Sequence, residues 1–100
     1  MYQNKNRLVV HIMRKRSNNP IMKKAFEHND EYYYNIIREN ISKYRKLKKL
    51  TQQDLADMTE LSREYICDIE NKNRNKHPSI TVVGRIAEAL NLDICDLLKE

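Results

Sequence analysis

The sequence predicts an all-α fold, a compact bundle of five helices that follows a basic N-terminal tail. Three observations lead to this prediction. The 100 residues include one Gly and two Pro, which is too few for a turn-rich β fold. Apolar residues recur at intervals of three and four in five successive segments after residue 34. Thr, Ser or Asp precedes each of the last four segments, as is typical of helix N-termini.

The first 24 residues differ from the rest in charge, because they carry seven Lys or Arg and no Asp or Glu. They lack a helical period. The stretch "LVVHIM" within them has the composition of a short strand or arm, with an unstructured terminus as the alternative. Internal methionines leave open a later start of translation. We therefore assign residues 1–34 to a basic, flexible tail or arm and residues 35–99 to the folded domain.

The first helix is predicted over residues 33–49, where apolar side chains fall on one face. The second begins at the capping signal Thr51-x-x-Asp54, and the third begins after Ser62. About three residues separate these two helices, which is the signature of a helix-turn-helix. The inward positions of the three helices are Ile37, Ile41, Tyr44, Leu47, Leu55, Ala56, Leu61, Ile66 and Ile69.

Two more helices follow a polar loop, "NKNRNKHP", over residues 71–78. Ser79 can cap the fourth helix, which ends at Asn91, and Asp93 can cap a short fifth. Their inward positions are Ile80, Val83, Ile86, Ala87, Leu90, Ile94, Leu97 and Leu98. Exposed parts of the last three side chains are candidates for a homodimer interface, with plain core packing as the equal alternative.

Length and composition exclude several classes of protein. One hundred residues form one small domain, and no run of about 18 apolar residues marks a transmembrane span. The N-terminal apolar run is too short for a signal peptide, so we expect a cytoplasmic protein without membrane association, in which Cys67 and Cys95 are free thiols. The spacing of Cys and His gives no support to a metal site, and we expect no cofactor.

The net charge of +5 hides an uneven distribution. Residues 25–100 carry a net charge of −2, with +5 over residues 38–49, −5 over residues 51–71 and +3 over residues 72–76. The most acidic segment therefore contains the predicted helix-turn-helix, although a helix-turn-helix commonly enters DNA. Whether this segment can approach DNA phosphates therefore depends on where its carboxylates lie.

The helix-turn-helix segment matches a family pattern at many positions in register. These positions are Arg45, Thr51, Gln52, Leu55, Ala56, Ser62, Tyr65, Ile66, Ile69 and Glu70. Over about residues 35–99 the chain resembles the Cro/C1-type (Xre-like) helix-turn-helix family of phage repressors and small bacterial regulators. The resemblance implies a lambda-repressor-like DNA-binding domain and a sequence-specific transcriptional regulator, a repressor, without catalytic activity.

Three positions depart from the family pattern. The turn between the second and third helices usually holds Gly, and a left-handed Glu60 there costs roughly 1 kcal/mol. Lys72 replaces a second Gly of the pattern. Gly84 lies inside the fourth helix, where it costs about 1 kcal/mol. We expect these departures to affect stability and loop geometry rather than the fold.

The family places its recognition residues on the outward face of the third helix. With the apolar stripe inward, the outward residues are Asn71 and the four candidates for base reading, Arg63, Glu64, Cys67 and Asp68. The resemblance implies that these four candidates read bases, since Arg suits guanine O6 and N7 while Glu and Asp can accept from cytosine N4. A solvated polar face is the alternative, and for Cys67 a redox switch competes with a small neutral contact.

The resemblance also implies contacts with the DNA backbone. Gln52 starts the second helix, where free backbone N–H groups and the helix dipole favour a phosphate. The other candidate phosphate-binding residues are Tyr65, Asn71, Arg74 and Lys76. For Lys76 a solvated loop is nearly as good an interpretation, and Tyr65 is expected to flank the core.

Arg45 and Glu70 flank the inward stripe, and the resemblance implies that they form a structural ion pair. Such a pair would account for part of the acidic excess. Asp54 is suited to a helix N-terminus, and Glu64 and Asp68 would face base edges rather than phosphates. The phosphate-binding charge is then expected at the end of the first helix, on the loop after the third helix, and on the tail.

The sequence therefore predicts a regulator that binds double-stranded DNA. A homodimer is expected because the operators of such modules are usually two-fold. The first alternative is the antitoxin of a toxin–antitoxin pair, which would bind a small protein partner as well as its own operator. The second is a helix-turn-helix that serves only as a scaffold, with a basic tail that binds RNA or membrane.

Overall fold

The computed structural model describes residues 28–100, which form four α-helices and two 3-10 helices. In chain order these are α1 (Asp30–Leu47), α2 (Gln52–Thr59), α3 (Arg63–Glu70), a 3-10 turn (Lys72–Arg74), α4 (Ile80–Ala89) and a C-terminal 3-10 helix (Ile94–Leu98). The expectations for residues 1–27, as part of a basic tail or arm, lie outside the described part of the chain. Within residues 28–100, every helix is too short or too polar to span a bilayer.

Side-chain caps begin the helices of the helix-turn-helix where the sequence predicts them. At α2, Thr51 Oγ1 accepts from the backbone N–H of Asp54 at 3.0 Å, and the Asp54 carboxylate accepts from the N–H of Thr51 at 2.9 Å. At α3, Ser62 Oγ accepts from the N–H of Tyr65 at 3.0 Å. Each cap satisfies an N–H that the first turn of a helix leaves unpaired, so these predicted starts are confirmed.

Glu60 forms the turn between α2 and α3 with a left-handed backbone, at φ 59° and ψ 34°. The N–H groups of Glu60 and Leu61 both donate to the carbonyl of Ala56, which closes the last turn of α2. A residue with a Cβ costs about 1 kcal/mol in this conformation, and Gly would avoid that cost. The strained turn expected from the sequence is therefore present.

The core lies where α1, α2, α3, α4 and the C-terminal 3-10 helix meet. Its buried hydrophobic side chains are Ile37, Ile41, Leu55, Ala56, Ile66, Ile69, Val83, Ile86, Ala87, Leu90 and Leu97. All of them were predicted to point inward. Burial of apolar area at about 25 cal/mol per Å² is the main favourable contribution to folding, and here it fixes α2 and α3 against the other helices.

Three residues predicted inward are exposed, and one of them is Leu98, the last residue of the C-terminal 3-10 helix. Leu47 is 67% exposed and Ile80 is 70% exposed. Leu47 is the last residue of α1 and Ile80 is the first residue of α4. Periodicity fixes the face on which a residue lies, but it does not say whether another element covers that end of the helix.

The bounds of α1 also differ from the prediction. The helix begins at Asp30 because Asn29 caps it: Asn29 Oδ1 accepts from the backbone N–H of Tyr32 at 3.1 Å. The carboxylates of Asp30 and Glu31 also suit the first turn of a helix. The helix therefore starts three residues before the predicted residue 33, and residues 30–34, which fall in the segment assigned to the tail, are helical. The helix ends two residues early because the backbone of Lys49 is left-handed.

The fifth predicted helix is a 3-10 helix, so within residues 28–100 the five-helix bundle is corrected to four α-helices and short 3-10 segments. Asp93 and Asp96 form a capping box, and the N–H of Asp96 donates to the carbonyl of Asp93 at 2.9 Å, three residues back. Leu97 is fully buried and belongs to the core, so it is not available for a homodimer interface. Leu98 is 45% exposed.

Candidate nucleic-acid interface

The outward face of α3 carries the four residues predicted to read bases. Arg63 and Glu64 are exposed in the first turn, and Cys67 and Asp68 are half-buried one turn later. The opposite face is buried in the core, which fixes the orientation of the helix. Since Arg63 is the only basic residue in α3, this face combines one cation with two carboxylates.

The N-terminus of α2 lies beside the C-terminal end of α3. Gln52, the first residue of α2, is half-buried, and its Nε2 donates to Glu70 Oε1 at 3.2 Å. The positive end of the α2 dipole therefore lies beside the C-terminal end of α3. Backbone N–H groups in the first turn of a helix form a ready anion-binding site.

The loop after α3 brings two cations back to that helix. Arg74 Nε lies 3.7 Å from Asp68 Oδ1, and Lys76 Nζ lies 5.3 Å from the centre of the Tyr65 ring. The first contact is an exposed ion pair and the second is a cation–π contact. The carbonyl oxygen of the Asn71 side chain accepts from the N–H of Asn73 at 2.9 Å and so is engaged within the loop.

Arg45 and Glu70 form a bidentate ion pair between α1 and α3. Arg45 Nε donates to Glu70 Oε2 at 2.7 Å, and Nη2 donates to Oε1 at 3.0 Å. The two side chains are 10% and 6% exposed. Arg45 Nη1 also donates to the carbonyl of Leu50 at 2.7 Å, so one guanidinium connects the start of the helix-turn-helix with its end.

Sequence reasoning missed a second buried arginine, Arg38, which is 3% exposed. Its Nη1 donates to the carbonyls of Ile69 at 3.1 Å and Lys76 at 3.4 Å. Its Nη2 donates to Glu31 Oε1 at 3.1 Å. The available signal was its spacing of seven residues from Arg45, which puts both on one face of a helix.

His77 is exposed, and it makes specific contacts with α1. Its Nε2 lies 2.9 Å from Glu31 Oε2, and its ring stacks on Tyr34 with centres 4.2 Å apart and planes 2° apart. The hydrogen bond with His77 is the largest cause that lowers the pKa of the Glu31 carboxyl; the nearby Arg38 lowers this pKa further, and burial opposes both. These contacts join the loop after α3 to the first turns of α1.

Both cysteines are free thiols in this structure. Within residues 28–100, no three His, Cys, Asp or Glu side chains come together as metal ligands would. In the same part of the chain every buried polar side-chain atom has a hydrogen-bond partner.

Comparison with known proteins gives a match to one family model, HTH_3, described as helix-turn-helix, over residues 41–97. Control protein C.SmaI of Serratia marcescens is 38% identical over 63 residues, which cover 63% of this chain and 73% of that protein. The immunity repressor protein of Bacillus phage phi105 is 36% identical over 64 residues. The latter match spans 64% of this chain but only 43% of the repressor.

Solved structures of regulators share the fold. A hypothetical transcription factor, NHTF, from Neisseria has a TM-score of 0.63 and 27% identity, and the match covers 73% of this chain and 83% of that one. SinR, the master regulator for biofilm formation, in complex with DNA has a TM-score of 0.58 and 28% identity, over 63% and 98% of the chains. The restriction-modification controller protein C.AhdI from Aeromonas hydrophila has a TM-score of 0.59 at 23% identity, over 64% and 94%.

Proposed function

This chain belongs to the HTH_3 helix-turn-helix family, and we propose that it represses transcription by reading an operator in the major groove with α3. Family membership, together with similarity to a control protein and an immunity repressor, makes it a DNA-binding transcriptional regulator. The relatives named above are regulators, which does not favour the antitoxin alternative. We propose that the chain acts by binding alone, in the cytoplasm at the nucleoid.

The observation that supports the proposal most is that candidate phosphate-binding residues from α2 and from the loop contact α3. Gln52 contacts the end of α3, Arg74 contacts Asp68, and Lys76 lies over Tyr65. The N-terminus of α2 and two loop cations therefore lie beside α3. This is the arrangement that a helix needs when it enters a groove between two phosphate backbones.

We propose that Arg63 makes the main base contact, with guanine O6 and N7. Glu64 and Asp68 accept from the exocyclic amine of cytosine, and Cys67 makes a small neutral contact. In the free protein Asp68 is paired with Arg74 at 3.7 Å. On DNA, Arg74 turns to a phosphate and leaves the Asp68 carboxylate free to accept from a base.

The phosphate contacts are proposed at the N-terminus of α2 and in the loop after α3. At the N-terminus of α2, Gln52 binds one phosphate with the help of the helix dipole. Beyond α3, the loop residues Asn71, Arg74 and Lys76 bind the backbone, with the Tyr65 hydroxyl beside them. The basic segment 1–24 adds charge that binds DNA without regard to sequence.

We propose that residues 30–99 form the DNA-binding unit and that two copies bind one operator. A two-fold operator places half-sites about one helical turn, roughly 34 Å, apart. In this arrangement the Arg45–Glu70 pair has a structural role, since it fixes α3 against α1 and does not face the DNA.

Footprinting on the DNA upstream of the protein's own gene tests the function. We expect one discrete protected site made of two similar half-sites, and loss of that site with Arg63→Ala. The matched control is Glu88→Gln on α4, which also removes an exposed charge but lies outside the proposed interface, and it should leave the site intact. Protection without a discrete site would contradict the proposal and favour the scaffold alternative.

A further inference from the structure

We propose that Arg38, Glu31, Tyr34 and His77 form an anchor that holds the loop after α3 in position for the DNA backbone. This inference rests on the proposed function and assigns positioning residues to it. Three of the four residues precede residue 41, where the family match begins. Family membership alone therefore does not account for them.

The loop needs such an anchor because its own side chains cannot fix its position by packing into the core. Residues 71–77, "NKNRNKH", contain no apolar side chain that could bury itself in the core. Residues 72–77 are exposed, and Asn75 has a left-handed backbone. Beyond the 3-10 turn at Lys72–Arg74, the position of this loop depends on contacts with other elements.

Arg38 connects the two ends of the loop through one buried guanidinium. The carbonyl of Ile69 belongs to the last turn of α3, where helix geometry leaves carbonyls unpaired, and the carbonyl of Lys76 closes the loop. A planar guanidinium donates in fixed directions, so it sets the spacing and orientation of the two carbonyls it binds. This fixes the point where the loop leaves α3 and the point where it contacts α1.

The surface part of the anchor holds the segment that follows. The Tyr34 hydroxyl donates to the carbonyl of Pro78 at 3.2 Å, and the Tyr34 ring stacks on His77. The Glu31 carboxylate accepts from Arg38 and also pairs with His77. Two loop residues and the proline after them are thus held from one helix face.

The anchor acts on DNA binding through Lys76. Its carbonyl is held by Arg38, while its ammonium lies over the Tyr65 ring beside the outward face of α3. Fixing the backbone of Lys76 keeps its charge, and that of Arg74 two residues before, near the proposed phosphate contacts. A loop that is already ordered in the free protein loses little conformational entropy when DNA binds.

The test compares anchor variants in two backgrounds, the native chain and a chain with Arg74→Ala and Lys76→Ala. In the native background, Arg38→Met should weaken binding to a random-sequence duplex by about three- to tenfold. It should also reduce the slope of log affinity against log salt by up to about 0.9 for each phosphate that the loop no longer neutralises. In the loop-neutralised background it should change neither quantity.

The control variant is Asn40→Ala, also on α1. Asn40 Nδ2 donates to the carbonyls of Leu97 at 2.9 Å and Lys99 at 2.8 Å, so this change removes two hydrogen bonds to the C-terminal segment and none to the loop. It should reduce thermal stability without changing the salt dependence of binding. Arg38→Lys, which keeps the charge, should recover part of the affinity that Arg38→Met removes.

Glu31→Gln and Tyr34→Phe provide a second test that leaves Arg38 in place, in case Arg38→Met does not fold. They should weaken random-duplex binding by about two- to threefold, again only in the native background.

Equal losses of affinity in both backgrounds, or no loss in either, would overturn the anchor. If Arg74→Ala with Lys76→Ala binds as the native chain does, the loop does not contact phosphate, and the anchor is overturned together with that part of the site. A missing discrete footprint would instead contradict the proposed function while the random-duplex test still applies.

Discussion

The two sides of α3 carry the same kinds of charged residue in opposite environments. On the inner side, the Glu70 side chain is 6% exposed and paired with Arg45. On the outer side, Arg63 and Glu64 are exposed, and the Asp68 side chain is 36% exposed. The environment, more than the residue type, therefore decides what a charge does in this fold.

The energetic consequences of the two environments differ as well. Burial removes the hydration of Glu70 at a cost of several kcal/mol, which the guanidinium of Arg45 and the amide of Gln52 offset. The outer charges keep their hydration and exchange it for contacts only when a partner arrives. Inner charges therefore affect stability first, and outer charges affect recognition first.

Breaking the inner pair should have the largest effect. Glu70→Ala leaves the buried Arg45 with the carbonyl of Leu50, and the free energy of unfolding should fall by roughly 3 kcal/mol. Arg45→Ala should cost a similar amount, and the double variant should cost much less than the sum. Urea titrations of the four proteins measure this coupling. Full additivity would contradict the pair, and Glu64→Ala on the outer side is the control, with a change within about 0.5 kcal/mol.

Much of the fold could be predicted from the sequence because local rules govern it. Thr51 and Ser62 mark the helix starts by capping, and a period of three and four selects the core. Arg38 was missed because its two carbonyl acceptors lie 31 and 38 residues away, and no local pattern reports such hydrogen bonds. The exposed Ile80 was misassigned for a related reason, since coverage of a helix end depends on the tertiary arrangement.

On the outer side, Arg63→Ala should have the next largest effect. It should weaken operator binding by about 1–3 kcal/mol and relax the preference at one base pair, because the variant cannot form the bidentate hydrogen bonds with guanine. The free energy of unfolding should stay within about 0.5 kcal/mol of the native value, since this side chain is exposed. Titrations on the operator and on operators mutated at single positions measure the affinity and the base preference. An equal decrease of affinity on every sequence would assign Arg63 to a phosphate instead.

The outer carboxylates should have smaller effects, of opposite sign on the two kinds of DNA. Without a cytosine amine in reach, Glu64 and Asp68 repel phosphates, so Glu64→Gln and Asp68→Asn should strengthen binding to random duplexes. The ratio of operator to random affinity should nevertheless fall, because the carboxylates discriminate against wrong bases. Titrations of each variant on operator and scrambled duplexes at one salt concentration measure this ratio. If both affinities rise by the same factor, these carboxylates do not read bases.

The site was less predictable than the fold because its contacts cross between elements. The outward face of α3 follows from periodicity, and the structure places all four predicted base-reading residues on it. The pairing of Asp68 with Arg74 and the position of Lys76 over Tyr65 depend on the path of the loop. That path is set by Arg38 and His77, whose partners on other elements sequence reasoning did not identify.

Glu31 is intermediate between the buried Glu70 and the exposed carboxylates of α3, since its side chain is 37% exposed yet has charged partners. Its substitution should have the smallest effect on stability. The hydrogen bond with His77 lowers the pKa of Glu31 below its ordinary value of 4.5. A carboxyl whose pKa is lowered on folding stabilises the folded state above its ordinary pKa, and this contribution disappears as the pH falls through the folded-state value. The stability difference between the native chain and Glu31→Gln should therefore be complete at about pH 6 and shrink below pH 4.5. Urea titrations of both proteins across this range measure it.

The same comparison in a His77→Phe background should show a weaker pH dependence, because the largest cause of the lowered pKa is removed while an aromatic ring still faces Tyr34. A difference that grows as the pH falls would contradict the contact between Glu31 and His77.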